Sequence, residues 1–194
     1  GARLWRDAGL DCLTQKVVSL KESKTSTTAR VEILNVKTQR VGIADFVYSL
    51  DRNGALKVHT TFQPDTTIVK SMARLGLTFR VSNAYDQVSY LGRGDNETYI
   101  DRNQSGKIGV YQTTPERMFH YYVAPQSTGN RTDVRWVKLG DTSGEGIFVE
   151  SDRAFQFSII PFSDVLLEKA RHINDLKRDG MLTVHLDAEQ AGVG

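Results

Sequence analysis

The sequence predicts an all-β fold built mainly from antiparallel strands, and two kinds of pattern support this prediction. Short segments with alternating apolar and polar residues recur along the 194 residues, which is the period-2 pattern of half-buried strands. Turn-forming residues separate these segments at two places where a hairpin fits. The predicted strands are too numerous for one open sheet of ordinary size, so packed antiparallel sheets are expected, each with its apolar face inward.

The first predicted hairpin joins residues 41–50 to residues 55–62. In the second segment, every other residue from Leu56 to Phe62 falls on one face, while the residues between them are basic or hydroxylated. An Asn-Gly pair in the intervening residues 51–54 readily takes the positive φ angles of a tight turn. Residues 55–62 are therefore predicted to be a half-buried strand that pairs with residues 41–50.

A second hairpin is predicted where the glycine-containing residues 140–144 separate residues 134–139 from residues 147–150. Further segments show strand-like alternation. They are residues 29–37, 72–81, 87–91, 119–123, 155–159 and 182–186. Neither a repeat nor a linker interrupts the series, which favours one domain over residues 1–194, with residues 1–20 as an N-terminal lead-in segment.

One segment has the spacing of a helix instead. Three apolar residues share one helical face there: Leu166, Ala170 and Ile173. Ser163 can cap the first turn, and the pair Asp179-Gly180 provides a stop. One short helix is therefore predicted near residues 163–177, and a less regular helical pattern covers residues 4–13.

Composition excludes several classes of partner. The 25 basic residues nearly balance the 23 acidic residues, so no strong field draws the chain to nucleic acid or to an anionic membrane. No apolar run approaches the roughly 20 residues that a membrane span needs. A neutral partner such as a sugar is compatible with this balance, and the cellular compartment is left open. The chain begins at Gly1 without an initiator methionine, and we expect it to be a segment of a longer protein.

Side chains suited to metal binding or proton transfer are few. The single cysteine, Cys12, excludes an internal disulfide framework and a cysteine-based zinc site, and its expected role is that of a small buried hydrophobe. The four histidines include no pair with the close spacing of a metal motif, and none has a convincing partner for proton transfer. His120 lies in an aromatic run, residues 119–122, which suits either a sugar-stacking surface or core packing, and packing is favoured.

Two segments combine turn-forming glycines with charged and aromatic side chains, residues 92–102 and residues 129–136. Ordered loops of this composition on a rigid scaffold often carry function, whereas the alternative is two polar turns. Hydrolysis of a glycosidic bond needs two facing carboxyl groups, and Glu97 and Asp101 are the candidates in the first segment. Their spacing in irregular chain fixes no separation, so a hydrogen-bonding role within the loop is favoured for each.

The charged side chains of these segments have several interpretations. Arg102 either forms a salt bridge with Asp101 that holds the loop or reaches a carboxylate elsewhere. Three charged residues alternate along the second segment and are predicted to share one face of a strand: Arg131, Asp133 and Arg135. That arrangement places Trp136 in the core. The charged face is a solvated surface, a buried network or a contact with another domain, and the domain contact is slightly favoured.

Several blocks of sequence carry a family resemblance. They are residues 74–76, residues 90–94 with Glu97, Tyr99, Asp101 and Arg102, residues 125–126, residues 129–136, Phe155, Phe157 and Ser158, Leu167 with residues 170–172, and residues 185–187 with Gln190 and residues 192–194. In this order and at these separations they resemble the C-terminal, or small-chain, domain of the β-galactosidases of glycoside hydrolase family 2.

The resemblance implies a β supersandwich of the galactose-mutarotase-like type. In this family the catalytic glutamates and the magnesium ligands belong to a central TIM barrel, so the resemblance implies no catalytic residue, metal site or cofactor within this chain. The implied partners are the barrel of the same parent chain and a β-galactoside substrate. The implied activity of the parent is hydrolysis of terminal β-D-galactosides, which this chain alone does not catalyse.

Roles for individual residues also follow from the resemblance, because the first segment borders the galactose pocket in the family and can move. It implies that Gly92 and Gly94 are conformational pivots, and that Glu97 and Tyr99 help to place or close the loop. The remaining charged residues are implied to support the loop or to face another domain: Asp101, Arg102, Arg131, Asp133 and Arg135.

Two positions depart from the family pattern. The family usually has proline where this chain has Asp95, and asparagine where it has Thr98. Loss of proline frees a backbone dihedral, and loss of asparagine removes an amide that both donates and accepts hydrogen bonds. Loop rigidity and the range of substrates are therefore expected to differ.

Two functions of other classes are alternatives. A stand-alone carbohydrate-binding module requires an aromatic platform, for which Tyr99, Tyr121 and Tyr122 are candidates. An aldose epimerase-like enzyme requires a histidine and a carboxylate that converge on a sugar ring.

Overall fold

The structure is a computed structural model that describes residues 2–191. These residues form two compact units, of which the first runs to Ala73 and the second begins at Arg74. Each unit is built on its own antiparallel sheet, which confirms the predicted all-β, mainly antiparallel class. The division into two units does not test whether residues 1–194 form a single domain or a supersandwich, and both stay predictions.

The first unit is a four-stranded meander preceded by a short helix. Its elements are α1 (Ala2–Asp7), β1 (Thr14–Glu22), β2 (Ser26–Leu34), β3 (Arg40–Leu50) and β4 (Leu56–Pro64), with the strands paired in chain order. The predicted hairpin is confirmed. The Asp51 carboxylate accepts hydrogen bonds from the backbone N–H groups of Asn53 and Ala55 at 2.8 and 2.9 Å, and Gly54 has a φ of 82°.

The N-terminal part of the first unit differs from prediction. The predicted lead-in contains α1 and most of β1, a strand that the sequence analysis missed because every one of its residues is exposed. Helix α1 ends at Asp7, whereas the sequence predicted a helical pattern over residues 4–13. Cys12 is exposed, so its predicted burial was wrong.

The core of the first unit covers only part of the sheet. Its buried members are Val31, Ile33, Val41, Ala44 and Val69. Ile68 and Met72 pack against them together with Phe62, the last apolar residue of β4. The start of the same strand has no such cover, because Leu56 is 60% and Val58 is 38% exposed. The prediction of a half-buried strand therefore holds at Phe62 and fails at Leu56 and Val58.

The second unit contains six strands in the order β5-β10-β9-β8-β6-β7, all antiparallel. Its elements are β5 (Arg74–Ser82), β6 (Gln87–Arg93), β7 (Ile108–Thr113), α2 (Pro115–Met118), β8 (Arg131–Gly140), β9 (Gly146–Ile160), α3 (Asp164–Lys169), a 3-10 turn (Ile173–Asp175) and β10 (Met181–Gln190). The second predicted hairpin is confirmed as β8–β9, with the Asp141 carboxylate bonded to the backbone of its turn.

The strand assignment that the sequence predicts for this unit needs three corrections. Residues 147–150 and 155–159 belong to the single strand β9. Residues 119–123 form no strand, because Phe119 is buried against Phe162 and Ile160 while the backbone around it runs between α2 and β8. Strand β7 was missed, because it is defined by its pairing with β6 and its own residues show no clear strand pattern.

Helix α3 begins as predicted but ends early. The backbone N–H of Leu166 donates to the Ser163 hydroxyl at 3.2 Å, which confirms the cap. The helix ends at Lys169 rather than near residue 177. The Asp175 carboxylate accepts the backbone N–H groups of Arg171 and His172 at 3.0 and 2.9 Å, so these groups bond to a side chain instead of continuing the helix.

The two faces of the six-stranded sheet differ in chemistry. One face carries the main apolar core, including Tyr90, Val134, Phe157 and Val184. Neighbouring positions on β9 and β10 carry polar residues that are also buried: Gln156, Ser158, His185 and Asp187. The connections around the sheet contact this polar face, because Asn130 bonds to Gln156 and Asp164 bonds to His185.

Candidate functional site

The candidate site lies where two connections of the second unit meet. One is the Glu97 loop, residues 94–107 between β6 and β7, and the other is the β7–β8 connection, residues 114–130. Strand β6 pairs antiparallel with β8, so the end of β6 lies beside the start of β8. The Glu97 loop and the last residues of the β7–β8 connection are thereby placed side by side.

Glu97 joins the two connections through its carboxylate. Oε1 accepts a hydrogen bond from Arg102 Nη2 at 2.7 Å, and Oε2 accepts one from the Gly129 backbone N–H at 3.0 Å. The hydroxyl of Tyr122 also donates to Oε1, and the hydroxyl of Tyr99 lies 3.5 Å from Oε2. The Glu97 side chain is only 14% exposed. Donors from separate parts of the chain therefore surround a largely buried carboxylate.

The environment of Glu97 favours its charged form. Burial acts to raise the pKa of this carboxyl, but hydrogen bonds from Tyr122, the Gly129 backbone and Arg102 outweigh burial, and the pKa is lowered overall. Glu97 is therefore an ionised acceptor near neutral pH. That state suits an anchor and does not suit a general acid, which must carry a proton.

The same shift predicts a pH dependence for the contact between Glu97 and Gly129. Because the folded-state pKa is depressed, the contact is fully present above the usual glutamate range and is lost as pH falls through the lowered pKa. In protein isotopically labelled at glycine, the chemical shift of the Gly129 amide should change with pH, and the midpoint of this change should lie at the lowered pKa of Glu97. Glu97→Gln should abolish the change. A midpoint at or above the ordinary glutamate value would contradict the assignment.

Buried backbone and side-chain groups hold the Glu97 loop beside β8. The Thr98 N–H donates to the Asn130 carbonyl at 2.8 Å, and Asn130 Nδ2 donates to the Thr98 carbonyl at 2.9 Å. The Thr98 hydroxyl accepts the Thr132 N–H at 3.0 Å, and Thr98 is completely buried. Asn130 Nδ2 also donates to Gln156 Oε1 at 2.7 Å, which ties this pairing to β9. Sequence analysis noted Thr98 only as a departure from the family and did not assign these contacts.

The side chain of Arg131 anchors the Glu97 loop to the start of β8. This side chain is buried, and its Nη2 donates to the Asp95 carbonyl at 2.7 Å. Nε donates to the Tyr90 hydroxyl at 3.0 Å, and Nη1 donates to the Gly129 and Asn130 carbonyls at 3.0 and 3.2 Å. Within residues 2–191 no carboxylate forms an ion pair with this guanidinium, so neutral oxygens satisfy it.

The predicted alternation of charges along β8 was wrong. Asp133 has a φ of 55°, and the pairing register shifts between Arg131 and Val134 and again between Val134 and Trp136. Arg131 is consequently buried, Asp133 pairs with Arg93 Nε at 2.7 Å, and Arg135 is exposed. Trp136 is half-buried against Phe148 rather than in the core.

The turn at residues 99–102 resolves the two alternatives for Arg102. Tyr99 and Arg102 pair through their backbones, and the Arg102 guanidinium lies over the Tyr99 ring at 5.5 Å while it bonds to Glu97. Arg102 therefore reaches a carboxylate other than that of Asp101. Asp101 is exposed and makes no ion pair with any residue between 2 and 191, so the predicted Asp101–Arg102 bridge was wrong. The Glu97 carboxylate is thus bonded within the loop, which is the role favoured for it over catalysis, while the Asp101 side chain is exposed.

Close packing requires glycine at Gly92 and Gly94, whether or not these residues act as pivots. A side chain at Gly92 would place its Cβ 2.8 Å from Val134 Cγ2, so this glycine lets β6 lie close to β8. Gly94 has a φ of 135°, and a Cβ there would lie 2.8 Å from the Asn96 carbonyl oxygen. Their role as pivots stays a prediction.

A second buried polar cluster surrounds His185. Its Nε2 lies 3.1 Å from Asp164 Oδ1, and its Nδ1 lies 3.0 Å from Arg74 Nη1 and 3.1 Å from Thr78 Oγ1. Arg74 Nε is 3.3 Å from the buried carboxylate of Asp187, whose pKa is raised by burial. His185 therefore has the partners that the sequence could not show. Both of its ring nitrogens face protein groups, so neither is free to act on a sugar.

The described part of the chain shows neither a metal-binding cluster nor a membrane-spanning helix. Residues 2–191 include no group of three or more His, Cys, Asp or Glu side chains placed to hold a metal ion. None of the helices described is both long and apolar enough to cross a membrane.

Comparison with known proteins identifies relatives over the whole chain. The family described as "Beta galactosidase small chain" matches residues 2–194. A beta-galactosidase of Vibrio cholerae is 30% identical over 198 residues, covering 98% of this chain and 18% of that protein. A beta-galactosidase of Priestia megaterium is 29% identical over 147 residues, covering 76% of this chain and 14% of the relative. A beta-galactosidase of Actinobacillus pleuropneumoniae is 24% identical over 195 residues, covering 98% of this chain and 19% of the relative. The chain thus spans only a small part of each relative.

Proposed function

Because this chain belongs to the β-galactosidase small-chain family, we propose that it is the accessory domain of a larger enzyme that hydrolyses terminal β-D-galactosides. In this proposal the Glu97 loop forms part of the wall of the sugar pocket, and the bond-breaking groups belong to a TIM barrel elsewhere in the parent chain. The substrate and the barrel are inferred from the family and from the names of relatives that are much longer than this chain.

The observation that carries the proposal is the state of Glu97. Its carboxylate is ionised and already accepts hydrogen bonds from Arg102, Tyr122 and Gly129. Such a group holds a loop in place and has no proton to give to a leaving group. The side chains of Asp95, Asn96 and Ile100 are exposed on the same loop, so they are available to a neighbouring domain or a substrate.

The magnesium of this enzyme family is assigned to the other domains of the parent. The proposal keeps the magnesium ligands with the barrel, as the family resemblance implies; magnesium prefers oxygen ligands such as carboxylates. When bound in the parent, the ion would supply positive charge near the reacting carboxylates. The contribution of this chain is to fix the path of the Glu97 loop through the contacts of Glu97, Thr98 and Arg131.

The test compares two preparations. The chain alone should release no product from a chromogenic β-galactoside, because the proposal assigns the two facing carboxyl groups that hydrolysis needs to the barrel of the parent. In the full-length parent, Glu97→Ala should lower kcat/KM between about 10-fold and 100-fold without abolishing turnover, since loop misplacement weakens substrate positioning. Asp101→Ala is the matched control, because that carboxylate is exposed and unpaired among the residues described. Turnover that copurifies with the chain alone, or complete loss in a folded Glu97→Ala enzyme, would refute the accessory role.

The two alternative functions receive no specific support. Tyr99 and Tyr122 direct their hydroxyls toward Glu97, and the ring of Tyr121 packs edge-on against Phe119 at 4.9 Å. These rings are engaged with protein groups and do not present a common platform. For the epimerase alternative, His185 lies beside the Asp164 carboxylate, but it is only 1% exposed.

A further inference from the structure

We propose that Tyr122 is a positioning residue for galactoside hydrolysis, because its hydroxyl holds the Glu97 carboxylate and thereby fixes the Glu97 loop. This inference rests on the proposed function above. From the sequence, Tyr122 belongs to an aromatic run for which either sugar stacking or packing was predicted, with packing favoured. The structure instead directs its hydroxyl to a carboxylate of the neighbouring loop.

The donors to Glu97 are not equivalent as anchors. Arg102 belongs to the Glu97 loop itself, so its bond to Glu97 shapes the loop but moves with it. Tyr122 and the Gly129 backbone belong to the β7–β8 connection. Among the donors found within residues 2–191, only these two connect the carboxylate to a different part of the chain. Of the two, Tyr122 alone acts through a side chain, so a conservative substitution can remove its contribution.

Tyr122 is itself held by the structure around it. Its ring lies edge-on to that of His120, with 4.3 Å between the ring centroids. The backbone N–H of His120 donates to the hydroxyl of buried Thr128 at 2.9 Å. The preceding residue, Phe119, belongs to the apolar cluster with Ile160 and Phe162. The hydroxyl therefore extends from a segment that is fixed to the six-stranded sheet.

The protonation states agree with a donor role for Tyr122. The hydrogen bond to Glu97 raises the pKa of the Tyr122 hydroxyl, while the Glu97 carboxyl has a lowered pKa. The proton consequently stays on the tyrosine over the neutral range. A neutral hydroxyl that donates to a carboxylate forms one of the stronger hydrogen bonds available to a side chain.

The experiment is a double-mutant cycle in the full-length parent enzyme. Tyr122→Phe, Glu97→Ala and the double variant are compared by hydrogen exchange of peptides from the Glu97 loop and by steady-state kinetics. Tyr122→Phe keeps the ring against His120 and should speed loop exchange about tenfold, which corresponds to one lost charge-assisted hydrogen bond. KM should rise about fivefold to tenfold with little change in kcat, since the loop is expected to hold substrate and transition state alike.

Tyr121→Phe provides the matched control. The Tyr121 hydroxyl also donates to a carboxylate, Glu116 Oε1 at 2.8 Å, but that contact lies outside the Glu97 loop. Its loss should leave loop exchange and KM unchanged. In the Glu97→Ala background, Tyr122→Phe should add no further effect, because its hydroxyl no longer has the carboxylate through which it acts.

The outcomes separate this inference from the proposed function. If Tyr122→Phe has no effect, or adds its full effect to that of Glu97→Ala, the positioning role is overturned while the accessory function stands. If loop exchange accelerates in both single variants but no kinetic constant changes, the loop is not part of the sugar pocket. That second result overturns the part of the proposed function that places the loop in the pocket wall, and with it the role of Tyr122 in the reaction.

Discussion

Replacing Gly129 with alanine is expected to destabilise the chain by about 3 to 5 kcal/mol, from a left-handed backbone and a steric clash together. Gly129 has a φ of 78°, and a Cβ there would lie 2.4 Å from the carbonyl oxygen of Met118. A backbone oxygen cannot rotate away as a side chain can, so the turn must shift. Because the Gly129 N–H donates to Glu97, the shift should also loosen the Glu97 loop.

Gly180→Ala separates the two causes of this loss. Gly180 has a φ of 82°, and no atom lies within 4 Å of its would-be Cβ. Its replacement should therefore cost only the backbone term, about 1 to 2 kcal/mol. Urea unfolding of the chain measures both variants. Equal losses for Gly129→Ala and Gly180→Ala would show that the turn accommodates the added methyl group and that the steric argument is wrong.

Arg131→Met is expected to destabilise the chain by about 2 to 4 kcal/mol, because it leaves buried oxygen atoms without donors. The guanidinium serves the Tyr90 hydroxyl and the carbonyls of Gly129, Asn130 and Asp95. Methionine fills much of the same volume and removes a buried charge, which offsets part of the loss. The Asp95 carbonyl should regain water, whereas the deeper acceptors should not.

Arg135→Met is the control for this substitution. Arg135 lies on the same strand but is exposed, so the change should alter the free energy of unfolding by no more than about 0.5 kcal/mol. Urea unfolding reports the stability, and hydrogen exchange of the Glu97 loop reports whether the loop loosens. A stable Arg131→Met chain with an unchanged loop would mean that the buried guanidinium is not an anchor.

Local chemistry explains which parts of the fold were predictable. Both hairpins were found because their turns depend on nearby residues, such as Asp51 and Asp141 bonding to their own turn backbones. Strand β1 escaped prediction because its residues bury no face, so no alternation between buried and exposed positions marks it. The predicted burial at the start of β4 was wrong for the opposite reason. The residues there alternate as in a half-buried strand, but nothing packs over Leu56.

Long-range contacts explain why the site was only partly predictable. The family resemblance selected Glu97 and Arg102, and the structure brings them together. Tyr122 and Gly129 lie 25 and 32 residues from Glu97, so their convergence depends on how β6, β7 and β8 pair. The wrong prediction for Asp133 has a similar origin, because a positive φ angle within a strand breaks the period-2 rule without changing the residue pattern.

The contact between Arg131 and position 95 has a consequence for variation among related chains. At position 95, Arg131 contacts the backbone carbonyl and not the side chain. The Asp95 side chain is exposed. Every amino acid, proline included, offers the same carbonyl. Substitution at position 95 can therefore alter the charge and stiffness of the exposed part of the loop while the guanidinium keeps its acceptor. Under the proposed function, in which this loop borders the sugar pocket, position 95 is the first choice for a substitution library aimed at substrate range.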